Sequence, residues 1–252
     1  MKKFRTIAII PARLESSRLP GKALLDICGL PMIVHVFKRC ELSESLDEVF
    51  VATDSDEISQ VVERFGGKVI MTSSHPENGT ERIVEAAKNI DADIVVNVQG
   101  DEALVNPTHI DAAVNALIKD QNVNVAILVN EFSKRNSPSD IKTVLDEENN
   151  VMYLSRSDIP SDARTNNPPM LKAYHILPFR KEFLLKYASW GKGFLEQIEY
   201  HEHLRILEKG YKIRAVQVDS DAVSVDTEND LKFVRKEMIT DPIFQLYSAN
   251  YK

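Results

Sequence analysis

The chain has 252 residues, enough to bury one large α/β core or two smaller ones. Its 38 acidic against 31 basic side chains leave a formal net charge of -7, which excludes general attraction to nucleic acid and makes any local cluster of cations stand out. Two cysteines are too few for a metal cluster and no apolar run approaches the roughly twenty residues that cross a bilayer, so the composition reads as a cytoplasmic protein with packing thiols at Cys28 and Cys40.

Met1-Lys2-Lys3 leads directly into a strand, without a signal-peptide pattern. That strand, Thr6 to Ile10, is β-branched and uncharged, as suits burial on both faces. Pro11, Ser16-Ser17 and Pro20-Gly21 then predict a loop at its carboxyl end. Pro31 to Cys40 has apolar residues at helical spacing, with Pro near the first turn. Val49 to Thr53 is a second strand, Asp54-Ser55-Asp56 caps a helix to about Phe65, and Gly66-Gly67 stops it. Lys68 to Met71 (strand), Gly79 to Lys88 (helix), Asp93 to Val98 (strand) and Pro107 to Lys119 (helix) continue the alternation. Such a rhythm predicts a mostly parallel, Rossmann-like sheet with helices on both faces.

Beyond residue 122 the rhythm changes. Val123 to Val129, Ile141 to Leu145 and Val151 to Leu154 read as strands joined by turns, so that about 123–190 forms a strand-rich insertion within one domain spanning 1–252. Asp162 to Pro169 is polar and Pro-rich, a surface loop or a lid. A helix is expected over Leu195 to Lys209, ending at Gly210, then a strand from Ile213 to Val218 and a last helix from Glu228 to Met238. The tail from Thr240 to Lys252, with Phe244, Tyr247 and Tyr251, is expected either to dock on a neighbour or to fray.

The first loop sets Arg13, Arg18 and Lys22 within ten residues. Three such cations are either solvated or hold something strongly negative, and the strand-end position in an α/β sheet favours phosphate. The loop is not a Walker A motif, since Ala23 follows Lys22 where a hydroxyl would be needed, and no Gly-x-Gly-x-x-Gly follows the first strand. The fourth strand delivers Asn97-Val98-Gln99-Gly100-Asp101-Glu102 to the same edge, where acids beside phosphates call for a divalent cation. Asp226 in Val225-Asp226-Thr227 is a second oxygen ligand or an ordinary helix cap.

In order and spacing, Ile10 to Lys22, Pro31 to Val36, Val51 to Asp54, Gly79 to Arg82, Val96 to Glu102, Lys142 with Val144-Leu145-Asp146, Leu154 to Arg156, Ile159-Pro160 and Val225 to Thr227 resemble the bacterial CMP-Kdo synthetases, the 3-deoxy-manno-octulosonate cytidylyltransferases, to about residue 238. The resemblance implies that Arg13, Arg18 and Lys22 bind CTP phosphates and that Ser17 and Arg82 belong to the nucleotide site. It implies that Gln99 and the turn Asn78-Gly79-Thr80 select cytosine, and that Lys22, Asp101 and Asp226 are catalytic. Asp101 and Asp226 would hold Mg2+, and two copies of the chain would pair. The family reaction joins CMP to a 2-keto-3-deoxy acid sugar and releases pyrophosphate, with no nucleic acid or membrane as partner.

The acceptor region departs from the family pattern. Ala173 and Leu177 stand where the family has a His and a Tyr, and His203 stands where Gln is usual. His175, two positions after the family His, would share its face in a strand. Arg156, His175, Glu202, His203 and Arg205 are therefore the acceptor candidates, with the two arginines either on a substrate carboxylate or in structural ion pairs. His175, His201 and His203 with Glu202 read as a sugar pocket and not a metal site, because alternate residues on one helix diverge. The expectation is a modified octulosonate as acceptor. The rivals are a nucleotidyltransferase for a nonulosonate or a non-sugar acceptor, and a non-catalytic nucleotide-binding protein.

Overall fold

The structure, a computed structural model, describes residues 4–15, 19–219 and 223–249. It divides into two compact units, Met1–Asp111 with Ala222–Lys252, and Ala112–Asp221, where the sequence suggested one domain with an insertion.

In the first unit, β1 (Thr6–Ala12) is buried throughout. It runs two residues past its expected end because pairing with one neighbour stops at Ile9, so Pro11 lies where the strand is paired on one side only. A 3-10 turn over Lys22–Leu24 follows Gly21, whose φ of 65° suits glycine. Next comes a hairpin the sequence did not announce, β2 (Asp26–Ile27) and β3 (Leu30–Pro31), turned by Cys28 and Gly29 at φ 52° and 93°. Cys28 is exposed there, and Cys40 is buried as a packing residue.

The chain continues through α1 (Met32–Cys40), β4 (Glu48–Thr53), α2 (Asp56–Arg64), β5 (Lys68–Met71), α3 (Gly79–Ala87), β6 (Ile94–Val98) and α4 (Pro107–Lys119). The cap expected at Ser55 is present, its Oγ accepting from the Ile58 amide at 3.3 Å, and Asn78 caps α3, its Oδ1 accepting from the Glu81 amide at 2.8 Å. β6, β1, β4 and β5 lie side by side in that order, all parallel. Their carboxyl ends therefore share one edge, carrying the loop after Ala12, Asp54 and the segment from Gln99 onward.

The second unit holds β7 (Ala126–Phe132), β8 (Lys142–Leu145), β9 (Val151–Ser155), β10 (Met170–Tyr174), β11 (Ile176–Arg180), α5 (Lys181–Ala188), α6 (Phe194–Glu199), α7 (Leu204–Glu208) and β12 (Arg214–Gln217). Its sheet, in the order β12-β7-β10-β8-β9, is antiparallel except for β12 against β7. The single helix expected over Leu195 to Lys209 is two. Tyr200 turns left-handed at φ 49°, the His201 amide closes back on the Glu196 carbonyl at 3.2 Å, and the chain restarts at Leu204. Residues 161–169 have no regular structure.

The first unit closes with α8 (Glu228–Thr240) and α9 (Pro242–Ser248). The tail thus folds onto its own chain through Tyr247, which is buried; Tyr251 lies outside the described residues. Ile27, Met32, Ala103, Val225, Leu231, Val234 and Met238 form one apolar cluster. Three of them stand close in sequence to Lys22, Asp101 and Asp226, so one core anchors three distant stretches of chain. No helix among the described residues is long and apolar enough to cross a membrane.

Candidate active site

Lys22 lies at the start of its 3-10 turn with Nζ 2.7 Å from Asp101 Oδ2 and 3.1 Å from Asp226 Oδ1. Residues separated by 79 and 204 positions thus meet at one ammonium. Burial pulls the Lys22 pKa down, but Asp101 and then Asp226 more than offset it, and the net shift is upward. The backbone fixes the two acids relative to each other, because the Val225 amide donates to the Asp101 carbonyl at 3.0 Å. Ser224 Oγ also donates to Glu102. The cap of α8 is Thr227, not Asp226. Thr227 Oγ1 accepts from the Asp230 amide at 3.3 Å, while Asp230 Oδ2 accepts from the amides of Thr227 and Asp226 at 2.8 and 3.1 Å. The Asp226 carboxylate is left facing Lys22.

Gln99 and the Asn78-Gly79-Thr80 turn come together at the same sheet edge. Gln99 Nε2 donates to Asn97 Oδ1 at 2.8 Å, and Asn97 Nδ2 donates to the buried Thr80 Oγ1 at 3.2 Å. Asn97, which sequence reasoning did not single out, thereby commits the Gln99 amide nitrogen and leaves its carbonyl oxygen to read a donor. Gly79 and Gly100 allow the close approach. A Cβ on Gly79 would lie 3.3 Å from the Gln99 amide and from Pro11 Cγ, and one on Gly100 would lie 2.8 Å from the Pro11 carbonyl. Ala103 is fully buried, and the turn before it is closed by the Glu102 amide on the Gln99 carbonyl at 3.2 Å.

Arg13 reaches the Pro76 carbonyl, beside the Asn78-Gly79-Thr80 turn. Arg82 is fully buried and tied to Thr72, to the Ser73 carbonyl at 3.3 Å and to Asp54 at 3.1 Å, so it fastens α3 to the chain that follows β5 and β4. Ser17 and Arg18 lie outside the described residues.

Within the second unit the acceptor candidates gather differently from expectation. His175 is not in a strand; it occupies the break between β10 and β11, so the same-face argument does not apply. His201 and His203 do not share a helix. They lie in the link from α6 to α7, and their rings converge with that of His175 at centroid separations of 5.0 to 6.2 Å. Among the described residues no group of three His, Cys, Asp or Glu is placed to hold a metal ion. Burial drives the His203 pKa down to about 3 and that of His201 well below its ordinary value. Both ring nitrogens of His203 and Nε2 of His201 are buried without a hydrogen-bond partner. Ala173 and Leu177 are wholly buried.

Both arginine candidates are in structural contacts. Arg205, buried, grips Glu196 with Nε at 2.8 Å and Nη2 at 2.6 Å and lies 4.6 Å over the Tyr187 ring. Arg156 donates to the carbonyls of Glu199, Tyr200 and Pro138 at 2.7, 3.0 and 2.7 Å. The Glu199 carboxylate takes the Arg156 amide at 2.9 Å and Ser155 Oγ at 2.9 Å. These ties fasten the α6 to α7 link to β9.

The family model of the cytidylyltransferases matches residues 7–213. A 3-deoxy-manno-octulosonate cytidylyltransferase of Geobacter metallireducens is 41% identical over 248 residues, covering 92% of this chain and 98% of its own. One of the same name from Escherichia coli is 38% identical over 236 residues, covering 93% and 96%. The solved structure of a CMP:2-keto-3-deoxy-manno-octonic acid synthetase complexed with CTP matches with a TM-score of 0.90 at 38% identity, covering 93% of this chain and 98% of that one. A 4-diphosphocytidyl-2C-methyl-D-erythritol synthase from Anaerococcus prevotii, at 14% identity and a TM-score of 0.62, shares the fold alone. Fold, site and likenesses together define a nucleotidyltransferase that uses CTP. The chain belongs to the cytidylyltransferase family.

Proposed function

We propose that the chain activates a Kdo-like 2-keto-3-deoxy acid sugar. The anomeric hydroxyl attacks the α-phosphorus of CTP and releases its proton to solvent, a new O–P bond forms, the bond to the bridging oxygen breaks, and pyrophosphate leaves with the CMP-sugar as product. The observation that carries this reading is the Lys22 ammonium set between Asp101 and Asp226 at the carboxyl edge of a parallel sheet. Lys22 stabilises charge that builds on the nucleotide in the transition state. Gln99 offers its carbonyl oxygen to the cytosine amino group, and the α3 N-terminus at Gly79 offers backbone amides to an anion. Arg13, with Arg18 and Ser17 in the same loop, adds phosphate contacts.

The donor set suits magnesium, since two carboxylates, hard oxygen ligands, already converge on one cation. Asp101 and Asp226 would hold the ion, which supplies charge neutralisation at the phosphates when bound.

The relatives are named for Kdo itself, but the histidine cluster and the apolar Ala173 and Leu177 support a modified octulosonate as this chain's preferred acceptor. His175, Glu202 and His203 would contact it. Arg156 and Arg205 would position that wall through their contacts with Glu199 and Glu196. In an assay of pyrophosphate release, CTP should exceed ATP, GTP and UTP by at least about 100-fold. Equal use of the four nucleotides would remove the role given to Gln99.

Pairing of two copies is part of the reading. α6 exposes Phe194 and Ile198, one helical turn apart, as a surface a second copy would cover. A solution mass of twice 28.5 kDa supports it, and the mass of one chain removes it.

A further inference from the structure

His35 is fully buried on α1, and its two nitrogens are both engaged. Nε2 lies 2.8 Å from the Ile27 carbonyl, which can only accept, so Nε2 carries the proton. Nδ1 then accepts from the Tyr247 hydroxyl at 2.7 Å. Tyr247 belongs to α9, the helix in the tail, and its ring meets Phe244 and His35 edge-on. Arg39, one turn further along α1 and wholly buried, fixes the same helix by its ion pair with Asp241 at 2.8 Å. The tail is thus bonded to α1 at two points, and one of them satisfies the Nδ1 that the bond to Ile27 leaves unprotonated, holding the ring in place.

Ile27 lies in the hairpin that follows Lys22. The Leu25 amide donates to the Lys22 carbonyl at 3.2 Å, and the Met32 amide to the Leu25 carbonyl at 2.9 Å, so turn and hairpin form one hydrogen-bonded piece. From the other side Arg235 of α8 donates to the Asp26 carbonyl at 2.9 Å. Asp226 directly precedes the cap of α8. The hairpin is therefore the part that joins the support of Lys22 to the support of Asp226.

We propose that His35 and Tyr247 are positioning residues for nucleotidyl transfer: the tail helix clasps His35, His35 holds the β2 to β3 hairpin, and the hairpin sets Lys22 against Asp226. The inference rests on the catalytic role given above to Lys22. Neither residue touches the reacting groups. Loss of the clasp leaves Arg13, Gln99 and the α3 N-terminus in place, so it acts on the transition state and spares ground-state binding of CTP.

The test is steady-state turnover per folded molecule, with CTP, magnesium and the best acid sugar of a panel, the folded fraction being read by circular dichroism. His35→Leu should lower kcat about tenfold and Tyr247→Phe about threefold, each with the KM for CTP within about twofold of the parent. His35→Gln keeps a donor near the Nε2 position and should recover most of the loss. Parental kcat per folded molecule in His35→Leu, no recovery in His35→Gln, or a KM for CTP raised as much as kcat falls would each overturn the proposal. Lys22→Met run alongside separates the two ideas, since activity in that variant rejects the site and not merely the clasp.

Discussion

Lys22→Met should lower kcat by about 10²- to 10³-fold, the usual cost of removing one preorganised charge from a transition state, and Asp101→Asn should do the same. Both variants should fold, because the three groups retain partial exposure, with side-chain accessibilities of 17%, 23% and 26% for Lys22, Asp101 and Asp226. The two failures should differ in kind. Lys22→Met leaves two carboxylates facing each other without their cation, so the variant should still respond to magnesium. Asp101→Asn removes half of the anionic oxygen set and should raise the magnesium concentration needed for residual turnover. Titration of pyrophosphate release against magnesium reads both. More than half of parental turnover in either variant would strike that residue from the catalytic set.

Acid should destabilise the chain well before its carboxylates titrate. His35 is held at about 4, His203 at about 3, and His201 well below its ordinary value, each chiefly by burial. The folded values lie below the unfolded value near 6.5, so the unfolded chain takes up protons first. The stability these groups allow is present above pH 6.5 and is lost as pH falls toward the folded values. The loss is up to about 1.4 kcal/mol per histidine for each pH unit below 6.5. Denaturant unfolding between pH 7 and pH 5 measures it, and His203→Phe, which keeps the ring and removes the titration, should flatten the slope by that residue's share. An unfolding free energy constant between pH 7 and pH 5 would contradict the buried, neutral state of these rings.

The parts legible in the sequence were those in which neighbouring residues carry the signal. The uncharged run at Thr6 marked β1, and Ser55 marked a helix start, because strand burial and capping are local matters. That Lys22 and Asp101 would lie at one edge was expected from strand ends sharing it, a rule of topology that needs no side-chain detail, whereas Asp226, which ends no strand, was favoured as a ligand over a helix cap only through the family resemblance. What stayed hidden depended on distant partners or on unusual backbone. Cys28-Gly29 is not a pair that advertises a hairpin, and Tyr200 in a left-handed conformation broke a helix that periodicity ran straight through. That break placed His201 and His203 in a link where their rings meet His175, and spacing alone had pointed them apart. The commitment of Arg156 to the Glu199 and Tyr200 carbonyls, across more than forty residues of sequence, could not be read from either segment alone.

The mass of the product formed by the purified chain from CTP and magnesium, with Kdo and a panel of modified 2-keto-3-deoxy acids supplied side by side, bears most directly on the function. A CMP ester of an acid sugar should appear with an equal amount of pyrophosphate, and a modified octulosonate should be consumed faster than Kdo. Transfer of CMP to none of the acids would contradict the proposed reaction, and Kdo consumed as fast as every rival would contradict the acceptor assigned to the histidine pocket.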